Sequence, residues 1–307
     1  MGDAVLASWR PGATRDAVLA FLEVAESLPL EQRVACFDND GTLWCERPTY
    51  VQYDFFVDAL KTAVLSDPGL AAVPEFAALL AGDRAAIGEM GLERIAHELT
   101  RLFEGRSPEE FTARVRDFLG RATHPTLGRP LRSNTYLPMR ELIAELRARD
   151  FTVCIVTGGG TEFLRAVSQD LYGVPPENVV GSLIAYDFVP TPADGAGPAL
   201  TRTARLVAGA NEGPNKVTNI QTQLGRRPIF AAGNSGGDRE MLEWAAAGDG
   251  PTLALVINHD DADREFDYLG TAETVPDHEA ITDVAARRGW SVVSMAHDWD
   301  QVFDSSP

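Results

Sequence analysis

Val34-Ala35-Cys36-Phe37, followed by Asp38-Asn39-Asp40-Gly41-Thr42, is the stretch on which the reading of this chain turns. A short apolar run that breaks into a small, polar loop fits a strand buried on both faces, as strands of a parallel sheet are. The same pattern recurs further along. Phe151 to Val156 runs into Thr157-Gly158-Gly159-Gly160, and Ile229 to Ala232 runs into Gly233-Asn234-Ser235-Gly236-Gly237-Asp238. Leu253 to Ile257 runs into Asn258-His259-Asp260-Asp261. Helical periods separate these runs: Met139, Leu142, Ile143 and Leu146 make one face. Phe163, Leu164, Val167 and Leu171 make another, within a helix expected from Thr161 to Leu171 and stopped by Gly173. A further helix is expected over Thr14 to Ala25. Strand and helix in alternation predict an α/β fold, a doubly wound, Rossmann-like parallel sheet whose ligands bind beyond the carboxyl ends of the strands. All four polar loops lie at those ends.

Two stretches interrupt the alternation. From about Pro48 to Pro125 there is no strand-like run, while Phe56, Leu60 and Val64, then Phe111, Val115 and Phe118, repeat at helical spacing. This predicts a helical domain over 48–125 inserted into a core made of 1–47 and 126–307. The second stretch, Gly181 to Leu206, has two β-like halves around Thr191-Pro192-Ala193-Asp194-Gly195-Ala196-Gly197-Pro198 and reads as a hairpin insertion with a mobile tip.

Composition narrows the partners. The 307 residues carry 27 Lys and Arg against 45 Asp and Glu, a formal charge of −18. That balance disfavours nucleic acid, whose phosphates reward clustered basic residues. Any phosphate handled here has to be small and neutralised locally. Only Lys61 and Lys216 are lysines, so each marks a place where an ammonium, rather than a guanidinium, is retained. No run approaches ~18 apolar residues, and Met1 to Pro11 lacks a basic start ahead of an apolar stretch, so no membrane partner is expected and a cytoplasmic location is. Cys36, Cys45 and Cys154 have no C-x-x-C spacing and read as buried, reduced thiols.

Asp38 and Asp40, two residues apart beyond a buried strand, face one way and reach one pocket. Close carboxylates repel unless a cation relieves them, and an oxygen-lined site without His or Cys suits Mg²⁺. A solvated acidic turn is the other reading of this pair alone. Thr157-Gly158-Gly159 offers a hydroxyl and approachable N–H groups at an expected helix start, an anion cradle. Asp238 reads either as part of the cation site or as a plain N-cap.

Taken together, D-x-D-G-T at Asp38 to Thr42, T-G-G at Thr157 to Gly159, Lys216, and G-N-S-x-G-D at Gly233 to Asp238 resemble the haloacid dehalogenase superfamily of hydrolases, in its phosphatase branch. From about Ala13 to Phe303 the chain also resembles a bacterial group of phosphoserine-phosphatase-like members. The shared pieces are Phe37 to Trp44, Gly128 to Pro130, Leu171 to Pro176 and Trp290 to Met295. The resemblance implies an Mg²⁺-dependent phosphatase acting on a small phosphorylated metabolite through an aspartyl-phosphate. Asp38 is then the nucleophile and Asp40 the general acid and base. Thr157, Gly158, Gly159 and Lys216 hold the phosphoryl group. The metal is held by Asp38, the Asp40 carbonyl and Asp238, directly or through water.

Asn234 stands where many relatives carry an acid; it either coordinates through its neutral oxygen or holds Lys216. The retained Asp40 argues against dehalogenation, which has no leaving alkoxide to protonate. The helical insertion is where the superfamily places a cap over the site. Trp44, Glu46 and Arg47 are candidate substrate contacts at its lip. For Trp44 packing is the other reading; for Glu46 and Arg47 it is a surface ion pair. His259 reads as a surface loop or as rim. A phosphotransferase or mutase sharing the intermediate, and a silent phospho-ligand-binding protein, remain the alternative functions.

Overall fold

The computed structural model describes residues 5–191, 197–272 and 279–304. Its strands are β1 (Val34–Phe37), β2 (Thr152–Gly160), β3 (Val179–Val189), β4 (Ala199–Val207), β5 (Phe230–Gly233), β6 (Leu253–Asp260), β7 (Asp267–Tyr268) and β8 (Ser291–Ser294). They form one sheet in the order β4-β3-β2-β1-β5-β6-β7, with β8 also paired to β6. Pairing is parallel throughout the centre, and only β4 and β7 run antiparallel to their neighbours.

The apolar runs dictate this arrangement. In β1, Ala35 and Phe37 join the core on one face, while Val34 and Cys36 join the core on the other. β2 and β5 divide in the same alternating way, so helices must cover both sides. β1 is central, aligning Cys36 with Cys154 of β2 and with Ala231 of β5. The chain moves outward from β1 through β2 and β3 on one side, and through β5 and β6 on the other. The end of β1 is therefore the topological switch point, where loops on either side splay apart and leave a crevice.

Helix Ala13–Ala25 buries Val18, Phe21, Leu22 and Ala25, and helix Leu137–Ala148 buries Met139, Leu142, Ile143 and Leu146, as their spacing predicts. The inserted stretch holds helices Val51–Ser66, Pro74–Ala81, Arg84–Met90, Leu92–Arg101 and Pro108–Arg121. The last begins at a capping box in which Ser107 and Glu110 satisfy each other's backbone N–H, with Pro108 in the first turn. These helices close around Phe55, whose ring centroid lies 5.3–5.7 Å from those of Phe56, Phe103, Phe111, Phe118 and Phe163. Phe163 belongs to helix Thr161–Arg165, so this aromatic cluster joins the insertion to the sheet's own helices. No described helix is long and apolar enough to cross a membrane.

Three expectations need correcting. The expected hairpin forms, its halves pairing antiparallel from Leu183 with Val207 to Val189 with Ala199, but it is not a free-standing insertion: Val179 and Val180, just before it, pair in parallel with β2 as the start of the same strand. Only Val179 and Val180 there are apolar before Gly181, too few to read as a core strand. The hairpin's expected tip, residues 192–196, lies outside the described residues. The expected helix from Thr161 to Leu171 is broken at Val167 into Thr161–Arg165 and Ser168–Tyr172, with Gly173 in left-handed conformation as its stop. Finally, Gly158 to Gly160 continue strand β2 rather than opening a helix. Cys36, Cys45 and Cys154 are buried and free, as read from their spacing.

Replacing Phe55 by Ala should cost about 3–5 kcal/mol, because the site is ringed by rigid aromatics that cannot collapse into the void. Chemical denaturation measures this; a loss under about 1 kcal/mol would mean that the cluster does not hold the insertion in place.

Candidate active site

Three loops converge beyond β1. Asp38 prolongs the β1–β5 pairing, its N–H donating to Ala232 O at 2.9 Å. Lys216, on helix Pro214–Leu224, reaches under the loops and is 1% exposed. Its Nζ donates to Asp38 Oδ1 at 2.6 Å, Asp238 Oδ1 at 2.7 Å and Val156 O at 3.0 Å. All three protons of the ammonium are thus used, in divergent directions that a planar guanidinium cannot match. Burial alone would depress the ammonium; Asp238 and Asp38 outweigh it and raise Lys216 well above the usual lysine range. Two carboxylates on one ammonium still leave an uncompensated negative charge. Burial first, and Asp238 next, push the Asp38 carboxyl well above the ordinary range, with Lys216 opposing.

Asp40 is held apart from that triad. Trp44 Nε1 donates to its Oδ1 at 2.8 Å, and Thr157 Oγ1 lies 3.5 Å from Oδ2. Burial raises the Asp40 carboxyl, with the Trp44 hydrogen bond opposing, so the group holds a proton more readily than an exposed aspartate. Trp44 is buried with its ring edge-on to Phe163 at 6.4 Å, so it packs and lines the site at once. Thr157 Oγ1 accepts from Gly159 N at 3.0 Å, which fixes the hydroxyl against the T-G-G backbone.

The donor set fits a hard cation. Asp238 Oδ2 accepts the N–H groups of Asn234 at 3.0 Å and Ser235 at 3.1 Å, and its Oδ1 is on Lys216, so both oxygens are engaged. This favours the reading through water for Asp238. Asn234 makes no part of the Lys216 contacts; its Oδ1 is 3.3 Å from Thr42 Oγ1, and its Nδ2 donates to Glu46 at 3.0 Å. Thr42 Oγ1 is also 3.3 Å from Asp38 Oδ2, so Asp38 Oδ2 and Asn234 Oδ1 flank one hydroxyl. Among the described residues no group of three or more His, Cys, Asp or Glu is arranged to hold a metal. A mixed set of carboxylate, amide and carbonyl oxygens that leaves room for water is what Mg²⁺ takes.

Glu46 and Arg47 are not a surface ion pair. Glu46 is buried and accepts from Tyr268 OH at 2.7 Å and from Asn234, while Arg47 lies over the Tyr268 ring at 4.3 Å. His259 is not a surface residue either; it is 2% exposed and bonded to Gly41.

Two residues escaped the sequence reading. Gln52, on the first inserted helix, accepts from Gly160 N at 2.8 Å and covers Gly159. Glu212 lies against two glycines: a Cβ on Gly158 would stand 1.7 Å from its Oε1, and one on Gly237 would stand 2.3 Å from its Oε2. The carboxylate therefore spans the second and third loops at the anion cradle. Burial pushes Glu212 up to about 7; Lys216 opposes, and Asp238, Asp40 and Glu46 add to the rise. In sequence it sits in the polar Asn211-Glu212-Gly213-Pro214-Asn215 and carries no signal.

The profile of the haloacid dehalogenase-like hydrolases matches residues 35–243, more than half of the chain. Among solved structures, a protein of unknown function from Bordetella pertussis superposes with a TM-score of 0.55 at 18% identity, over 85% of this chain and 98% of that one. A functionally unknown protein from Anaerococcus prevotii gives a TM-score of 0.58 at 14% identity, over 91% and 90%. A phosphoserine phosphohydrolase-like protein from Francisella tularensis gives 0.40 at 15% identity, over 83% and 99%. No curated protein sequence matches the chain.

Glu212 sets a pH dependence. Its folded value, about 7, lies above the ordinary 4.5, so the folded state binds the extra proton and stability falls as pH rises from about 4.5 to about 7. Above that window Glu212→Gln should be more stable than wild type in urea denaturation. Sulfate, a dianion throughout, should bind more weakly as pH rises through about 7, and Glu212→Gln should flatten that dependence in calorimetric titration. A parallel pH slope in the variant would show that Glu212 does not face the anion.

Proposed function

Since the chain belongs to the haloacid dehalogenase-like hydrolase family, we propose that it is an Mg²⁺-dependent phosphomonoesterase acting through an aspartyl-phosphate. The observation that carries the reading is Lys216 Nζ bridging Asp38 and Asp238 at the end of the central strand. A surface lysine would have no reason to be buried against two acids from separate loops. In this position its three protons orient Asp38 and Asp238, and its positive charge lies at short range from a phosphoryl group on Asp38.

Lys216 fixes Oδ1 of Asp38 and leaves Oδ2 to attack phosphorus, forming the Oδ2–P bond as the P–O ester bond breaks. Asp40 supplies the proton that the leaving alkoxide needs. Its Oδ1 is occupied by Trp44, which directs the acidic proton to Oδ2, on the Thr157 side. In the second half Asp40 takes a proton from water, whose oxygen displaces Asp38 and releases inorganic phosphate. General acid and base help of this kind is typically worth ~10²–10⁴-fold. Thr157 and the N–H of Gly158 position the transferring group, with the Gly159 N–H holding the Thr157 hydroxyl in place. Asp38, the Asp40 carbonyl and Asn234 would hold Mg²⁺, with Asp238 reaching it through water, and the ion would supply charge neutralisation for the phosphoryl oxygens.

We assign residues 48–125 as a cap that excludes water and contacts the leaving group. Gln52, reaching Gly160, is its contribution at the site. With five carboxylates, Asp38, Asp40, Glu46, Glu212 and Asp238, crowded at the site, a small phosphomonoester is favoured over polyanions.

Hydrolysis of p-nitrophenyl phosphate should require Mg²⁺ and fall to background in Asp38→Asn. Lys216→Arg should lower kcat by roughly 10²-fold, because a planar guanidinium cannot keep the three divergent contacts that orient Asp38. Steady-state phosphate release checks both. Turnover surviving Asp38→Asn would remove the nucleophile assignment.

A further inference from the structure

His259 is the penultimate residue of β6, its ring sealed from solvent, and its two nitrogens meet two different elements. Nε2 donates to the Gly41 carbonyl at 2.8 Å, an assignment the geometry forces because a carbonyl only accepts. Nδ1 faces Glu265 Oε2 at 3.1 Å. Glu265 is itself fixed: Tyr136 OH donates to Oε1 at 2.9 Å and the Phe266 N–H to Oε2 at 2.7 Å. Tyr268 stacks on the imidazole with centroids 4.3 Å apart, and its hydroxyl reaches Glu46, which holds Asn234.

The target of this assembly is one glycine. Gly41 has φ +75, and a Cβ there would stand 2.0 Å from Asn234 Nδ2, so the chain passes through a gap that no side chain fits. Its N–H donates to Trp44 O at 2.9 Å. That bond fixes the plane of the peptide joining Asp40 to Gly41, and the Asp40 carbonyl lies on the opposite edge of a planar trans unit. The next peptide is fixed by His259. Gly41, the most permissive residue of the loop, is thereby pinned on both sides. The remaining freedom, a crankshaft rotation about the glycine that would swing the Asp40 carbonyl, requires breaking one of these two bonds.

We propose that His259, oriented by Glu265, is a positioning residue that aims the Asp40 carbonyl at the cation site. The proposal rests on the Mg²⁺ reading of that site. Residues of this kind hold ligands in direction without touching the metal, and their loss typically lowers affinity or activity ~10–100-fold.

Calorimetric Mg²⁺ titration of wild type, His259→Leu, His259→Gln and Glu265→Gln is the test, with circular dichroism and thermal melts to establish folding. His259→Leu is expected to weaken Mg²⁺ binding by about tenfold or more, with kcat at saturating Mg²⁺ recovering toward wild type. His259→Gln keeps an amide N–H for the Gly41 carbonyl and should recover most of the affinity, which a purely structural role would not produce. Glu265→Gln should fall between them and serves if the leucine variant does not fold. Wild-type affinity in a folded His259→Leu or Glu265→Gln protein overturns the positioning role while leaving the metal site standing. Absence of Mg²⁺ binding by wild type overturns both.

Discussion

One buried ammonium holds the site together. Lys216 donates to Asp38 and Asp238, which come from loops that the sequence separates by 200 residues, and to the carbonyl of Val156 in a third element. Removing one partner of such a buried pair commonly costs ~3–5 kcal/mol, because the charge left behind cannot be hydrated. The constraint runs outward from there. The lysine can be shared only if β1, β2 and β5 end at one level, which the parallel register enforces. Asp38 can stand between them only at the strand where the chain order reverses.

The same triad carries a charge deficit that explains the rest of the donor set. Two carboxylates, with Asp40, Glu46 and Glu212 nearby, face one ammonium. A divalent cation offsets the deficit of the triad and leaves positive charge for a small phosphoryl group, whereas a long polyanion would meet the −18 surface of the whole chain. Bulk acidity and a phosphate site are therefore compatible: the field of the whole chain acts at long range, while the pocket works within a few ångströms.

The sheet was legible because Val34 to Phe37, Phe151 to Val156, Ile229 to Ala232 and Leu253 to Ile257 are apolar on both faces. Asp38, Asp40, Thr157, Lys216 and Asp238 were legible because each follows such a run or is one of only two lysines, in an order that resembles the family's pattern. What escaped depended on partners far away in sequence. β3 hides its core half in two valines before Gly181. The break at Val167 is a backbone event that leaves helical periodicity intact. Glu46, Glu212 and His259 look like surface polar residues until the fold buries them. Their roles come from Tyr268, Gly158 and Gly41, which no local spacing connects to them.

The central claim is that Asp38 accepts a phosphoryl group in a site completed by a divalent cation. Fluorine NMR of the protein with beryllium and fluoride, which mimic an acyl phosphate on a carboxylate, tests it without turnover. A bound beryllofluoride signal should appear with Mg²⁺, vanish on chelation and be absent from Asp38→Asn. A bound signal that persists without Mg²⁺, or in the Asp38→Asn protein, would contradict the account.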